Sequence, residues 1–255
     1  FDAPAAQVAF VRAELQRVRR VLAEAAGRPL SDVDLAAGIR EANRVRRLLA
    51  ALRRLAYTTE PCPMPALEML IAEMLAIHFC SDRAEAAAVL AHLLAEARRR
   101  AADGRGVQDA GAARVFWVNP PADLRAMNLL EECGGRLCGT AFLFCHALDM
   151  IPEDLPPMEA LARTALGDPM VGPAADRAAR IVRDARRFGA EAVVVSRIPG
   201  ASHCATEGPV IGETVGRRLG LPVVELEVPT VADSILPALR TRLEALVETV
   251  VKRRT

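Results

Sequence analysis

A single strand–helix–strand unit constrains this chain more than any other feature. Residues 190–228, AEAVVVSRIPGASHCATEGPVIGETVGRRLGLPVVELEV, carry two β-branched runs, Ala192 to Ser196 and Pro222 to Val228. Between them lies an amphipathic segment from about Gly208 to Leu219, ended by Gly220. Each run is short and apolar, the pattern of a strand buried on both faces. A helical crossover makes the two strands parallel and the connection right-handed. Parallel sheets of this kind bind ligands outside the carboxyl ends of their strands. The loop at that edge runs from Arg197 to Glu207, with Cys204 expected just ahead of a helix N-terminus. Unpaired N–H groups and the helix dipole there favour a thiolate, which is what a metal or an iron–sulfur cluster needs. The competing reading is a half-buried loop cysteine with no role. His203 reads as a loop hydrogen-bonder rather than a ligand.

The N-terminal part has a different period. Residues 4–26 place Val8, Val11, Leu15, Val18 and Leu22 on one helical stripe, closed by Gly27. Ser31, with Asp34 three residues on, predicts a capping box opening a second helix, Asp32 to about Tyr57. After the Pro61–Pro65 punctuation, residues 66–80 are apolar nearly all round, so this helix is expected to be buried or to dock on another domain or subunit. Ser81 or Asp82 caps a fourth helix running to about Ala102. The Asp103–Gly111 segment reads as a linker, dividing a helical segment, 1–103, from an α/β domain, 112–255.

Beyond the linker, strands are expected near 114, 136, 192 and 222, with helices at 122–133, 158–166, 174–188 and 235–253. This predicts an α/β fold: an N-terminal helical segment followed by a flavodoxin-like, doubly wound domain with a four-stranded parallel sheet. The loops Asn119–Leu124, Leu143–Asp149 and Arg197–Glu207 then converge on one edge. That brings Cys145, His146 and Cys204 to the same side and makes Cys145 and Cys204 the candidate ligands.

Charge and cysteine usage narrow the partners. Arg is abundant but matched by Asp and Glu, for a net charge of +1, which argues against nucleic acid. No apolar run approaches the ~18 residues needed to span a membrane, and no secretory signal is visible. The six cysteines show no CxxC pair and no zinc-finger spacing, so they read as reduced thiols of a cytoplasmic protein. Cys133 and Cys138 fall inside elements and read as packing. Asn-Pro-Pro after the 114–118 strand excludes a dinucleotide fingerprint, and no Walker loop is present. A Ser202/His203/Asp149 triad is set aside, because adjacent Ser and His on one loop cannot readily face each other. Glu207 with Glu225 or Glu227 is a possible but unspecific carboxylate pair.

Several stretches resemble the benzoyl-CoA reductase / 2-hydroxyacyl-CoA dehydratase family, in particular its component D-like subunits. They are Leu35 to Leu49, with its Asn43-x-x-Arg46 core; Arg114 to Val118 with Leu129 to Gly135; Gly189 through Cys204 to Glu227; and Leu239 to Glu248. The resemblance implies an iron–sulfur subunit, with a [4Fe–4S] cluster, that passes a low-potential electron to an acyl-CoA thioester in 2-hydroxyacyl-CoA dehydration or aryl-CoA ring reduction. It further implies a related sister subunit and an ATP-hydrolysing activator. Only Cys204 maps onto a family cluster ligand, and the chain is expected to lack the family's N-terminal domain. The alternative is a non-catalytic scaffold of the same fold without a cluster.

Overall fold

The computed structural model describes residues 3–142 and 145–255, with the backbone alone for 202–206. Helices α1 (Ala5–Ala25), α2 (Asp32–Thr58), α3 (Ala66–Ile77) and α4 (Arg83–Ala102) precede strand β1 (Ala113–Val118). Then come α5 (Arg125–Glu132), β2 (Gly135–Ala141), a 3-10 turn at Cys145–Leu148, α6 (Pro157–Leu166) and α7 (Ala174–Arg187). The unit β3 (Ala192–Arg197), α8 (Ser202–Leu219), β4 (Val223–Glu227) and the final helix α9 (Leu236–Arg254) complete the chain.

The four strands form one all-parallel sheet in the order β2-β1-β3-β4. This is the flavodoxin-type order, in which the direction of strand addition across the sheet reverses between β1 and β3. Alternation along β1 shows why it is central. Ala113, Val115 and Trp117 face a core shared with α5, α9 and helices α2 to α4, while Phe116 and Val118 face α7 and α8. Gly139 of β2 is required where it stands, since a Cβ there would lie 2.6 Å from the Phe116 ring. The helical segment is therefore packed directly against one face of the sheet.

The Ser31 cap forms as the sequence predicts: its Oγ accepts from Asp34 N at 3.1 Å, and Asp34 Oδ2 accepts from Ser31 N at 2.7 Å. The start of α8 differs from the expectation. Helix α8 begins at Ser202, not near Gly208, so Cys204 lies within its first turn rather than ahead of it. The Gly208-Pro209 pair looks like a helix start, yet Pro209 sits inside α8, where it forfeits one N–H bond. Helix α3 is covered within this chain, with Met69, Leu70, Ala72, Glu73 and Ala76 buried and Ile71 and Met74 exposed. On α1, Val8 is buried against α6, whereas Val18 and Leu22 continue the stripe beyond that cover and are exposed.

Candidate functional site

The carboxyl edge of the sheet is organised by buried polar groups. At the reversal point, Ser196 Oγ donates to Asn119 O at 2.7 Å and accepts from Trp117 Nε1 at 2.9 Å. Asn119 Nδ2 donates to Ser196 O at 2.9 Å, and its φ of 62° is the left-handed geometry that Asn tolerates better than most residues. Arg177, on α7 and 4% exposed, spans this edge. It pairs with Glu207 of α8 and donates to Asn119 Oδ1 at 2.5 Å and to Ala141 O at 3.3 Å. One guanidinium thus ties together α7, α8, β2 and the loop after β1, the planar multi-donor role Arg performs and Lys cannot.

Beside it open two neighbouring cavities of about 130 Å³ and 780 Å³, together called the cleft, that share a wall at His146, Asp149, Asp168 and Arg180. Its floor holds Thr140, Cys145 and Arg53; its walls are the 146–149 segment, the 167–172 loop and the arginine face of α7. His146 Nδ1 lies 2.9 Å from Asp149 Oδ2 and its Nε2 2.6 Å from Thr164 O, so both ring nitrogens face acceptors. The Asp149 bond raises the His146 pKa above its ordinary value, against a smaller opposing effect of burial. Burial works to raise the Asp149 pKa, but His146 and Arg180 together hold it below the usual carboxylate range. Arg180 Nη2 donates to both Asp149 oxygens, at 2.8 and 2.6 Å.

The Asn43-x-x-Arg46 core of α2 acts on this same segment. Asn43 Nδ2 donates to Ile151 O and Glu153 Oε1, both at 2.8 Å, and Asn43 Oδ1 accepts from Ile151 N at 3.0 Å. Arg46 donates to Asp149 O at 2.8 Å, and Arg47 to Glu153 at 3.1 Å. The motif is thus a clamp that fixes the loop lining the cleft.

Behind the floor, Glu73 is fully buried. Its Oε1 accepts from Tyr57 Oη at 3.0 Å and Thr140 Oγ1 at 3.2 Å and lies 3.2 Å from Arg53 Nε. Burial pushes its pKa up, while Arg53, Tyr57 and Thr140 draw it back. Cys145 is buried with Sγ 3.6 Å from Thr140 Oγ1. Burial, and then the Glu73 charge, push its thiol up to about 11.

Of the sequence candidates, Cys145 and His146 stand at the carboxyl edge, as does the start of α8. The side chains of Ser202, His203 and Cys204 and the start of the 143–149 loop lie outside the described residues. Asp149 is engaged by His146 and Arg180. Glu207 pairs with Arg177, and Glu227 with Arg197 at 2.9 Å, so neither carboxylate is free to pair with the other. Among the described residues, no group of three or more His, Cys, Asp or Glu is placed to hold a metal ion. They therefore do not by themselves make a cluster site: Cys145, the one candidate ligand whose side chain is described, lies in surroundings that favour the thiol, though a bound metal would deprotonate it outright. Among these described residues no helix is long and apolar enough to cross a membrane.

Arg53, Arg177 and Glu73 escape a reading by periodicity, which sees arginines as a solvated face. A signal was present for Glu73, since a carboxylate in an otherwise apolar stretch must find a partner when buried. A family model described as 2-hydroxyglutaryl-CoA dehydratase, D-component, matches residues 1–250. A comparison with individual curated proteins gives no match.

Proposed function

Because the chain belongs to the 2-hydroxyglutaryl-CoA dehydratase D-component family, we propose that it is the iron–sulfur subunit of a radical acyl-CoA enzyme. In this reading it passes a low-potential electron to a CoA thioester, so that a 2-hydroxyacyl group loses water. Ring reduction of an aryl-CoA is the related reaction that the same electron chemistry would serve. The observation that carries the reading is the family match over residues 1–250 on a fold whose carboxyl sheet edge gathers the cleft, Cys145 and the first turn of α8. Cys204 and Cys145 are proposed as ligands of a [4Fe–4S] cluster, the remaining ligands coming from outside the described residues. When bound, such a cluster supplies one-electron chemistry at low potential.

This chain's own residues have a supporting task. The Asn43 and Arg46 clamp, together with the Asp149–His146–Arg180 cluster, holds the cleft wall. The Arg177 bonds fix the sheet edge against α7 and α8. A related sister subunit and an ATP-hydrolysing activator are the partners of the proposal, and the cytoplasm its compartment. Anaerobic purification of the protein from its natural reading frame tests it. Iron, acid-labile sulfide and an absorbance shoulder near ~400 nm support the cluster reading. A colourless, iron-free product that still binds a sister subunit would instead favour a scaffold without a cluster. Product analysis with activator and partner present distinguishes dehydration from ring reduction.

A further inference from the structure

Helix α1 carries an apolar face that the described residues leave open. Phe10, Val18, Val21 and Leu22 are 68%, 52%, 64% and 53% exposed, and among the described residues no other helix or strand exposes more than two large apolar side chains. Single exposed apolar residues are ordinary on a protein surface, whereas several on one helix mark a contact face. Helix α6 covers only the stripe of Val8, Val11 and Leu15. Phe10 and Val21 stand beside that stripe, three helical turns apart, and so point the same way. Glu14 and Arg17 lie between them on one line, at a spacing of four, three and four residues, the repeat of a helix–helix seam. Both are exposed and bonded only to each other, at 3.1 Å. Arg19 is turned away from this line, held by Leu30 O and by Asp32 at 2.7 Å.

The order along this line is apolar, acidic, basic, apolar, and reversed it is apolar, basic, acidic, apolar. Two antiparallel copies therefore complement each other. With a two-fold axis between Leu15 and Gln16, Phe10 faces Val21 of the second copy and Glu14 faces Arg17 of the second copy. Gln7 then faces Glu24 of the second copy, a pair able to hydrogen-bond. A parallel pair in register would set Glu14 against Glu14 and Arg17 against Arg17, so the charges select the antiparallel arrangement. The flanks permit close approach: Val18 lies on one side of the line and Ala13 on the other. We propose that α1 is a self-association helix, pairing antiparallel with α1 of a second copy of this chain. A two-fold contact needs a self-complementary patch, and this line is one. The proposal is independent of the cluster reading and of any sister subunit.

Sedimentation of the full-length protein over a range of concentrations tests it. The parent should form a dimer that dissociates on dilution. Phe10→Glu, Glu14→Arg and Arg17→Glu should each weaken self-association about tenfold or more. The swapped Glu14→Arg/Arg17→Glu variant should regain the parental dimer, because each acid again faces a base. An equimolar mixture of the Glu14→Arg and Arg17→Glu chains should form a mixed dimer more tightly than either chain pairs with itself. Val89→Glu, on the exposed face of α4, should associate as the parent does. A parent that stays monomeric, including one that pairs only with a different protein, overturns the proposal. So does parental association in Phe10→Glu, loss in Val89→Glu as large as in Phe10→Glu, or a folded double swap that fails to regain the dimer. Far-UV circular dichroism checks the fold, and were the double swap unfolded, the mixed dimer of the two single variants would decide, its absence overturning the proposal. The readout is mass rather than iron or activity, so its failure leaves the dehydratase reading untouched.

Discussion

Replacing Asn43 with alanine should be among the most damaging changes outside the apolar core. Asn43 is fully buried and makes three hydrogen bonds to the 151–153 segment. Two of them involve the Ile151 N–H and C=O, and alanine leaves both groups buried without these partners. Each orphaned backbone group costs ~1–3 kcal/mol, while the third bond, to the half-exposed Glu153, adds little. The expected loss is therefore ~2–6 kcal/mol, a large fraction of a typical domain's stability. Urea unfolding can be followed through Trp117, the single tryptophan, which is fully buried. Asn43→Asp should be no milder, because its carboxylate keeps the Ile151 N–H but faces Ile151 O and Glu153. Glu153→Ala should leave the stability close to the parent's. A loss below ~1 kcal/mol for Asn43→Ala, or near-parental stability for Asn43→Asp, would refute the clamp.

Arg177→Met should lower the melting temperature by on the order of 10 °C, because it strands the Glu207 carboxylate and Asn119; a shift within ~2 °C would sink this account of the sheet edge. Burial raises the Glu191 pKa, but Arg254 and the Arg114 N–H outweigh it and leave the folded value depressed. The stabilisation is thus present above the unfolded carboxylate range and lost as pH falls through the folded pKa. Glu191→Gln should flatten that acid limb of the stability curve, and an unchanged limb would contradict the assignment. In native protein at pH 8, iodoacetamide should label the exposed Cys80 well before Cys138 and Cys145, whose thiols burial pushes up to about 12 and about 11; mass spectrometry showing equal labelling would overturn that burial.

The parallel sheet was legible because β-branched runs separated by amphipathic segments allow few other arrangements. The capping box was legible because it is local, needing only Ser31 and Asp34. The Asn43-x-x-Arg46 core was visible as a pattern, but its partners at 149–153 lie more than a hundred residues away and no local rule names them. The cleft was hidden for a similar reason. Arginines on α7 have the spacing of a solvated face, and only the tertiary packing shows Arg177 buried and Arg183 and Arg187 lining a cavity. Pro209 misdirected the start of α8, since a Gly-Pro pair marks a helix entrance more often than a helix interior. Helix α3 was expected to be buried or to dock because its apolar residues run nearly all round, and helices of this chain cover most of them.

The most direct test of the central claim is the iron content of Cys204→Ser in the anaerobically purified full-length protein, measured beside the parent. The account predicts iron, acid-labile sulfide and a ~400 nm shoulder in the parent, with all three lost or sharply reduced in the variant while circular dichroism stays unchanged. Parental iron content and activity in Cys204→Ser would contradict the assignment of Cys204 as a cluster ligand, and with it the site on which the proposed electron transfer rests.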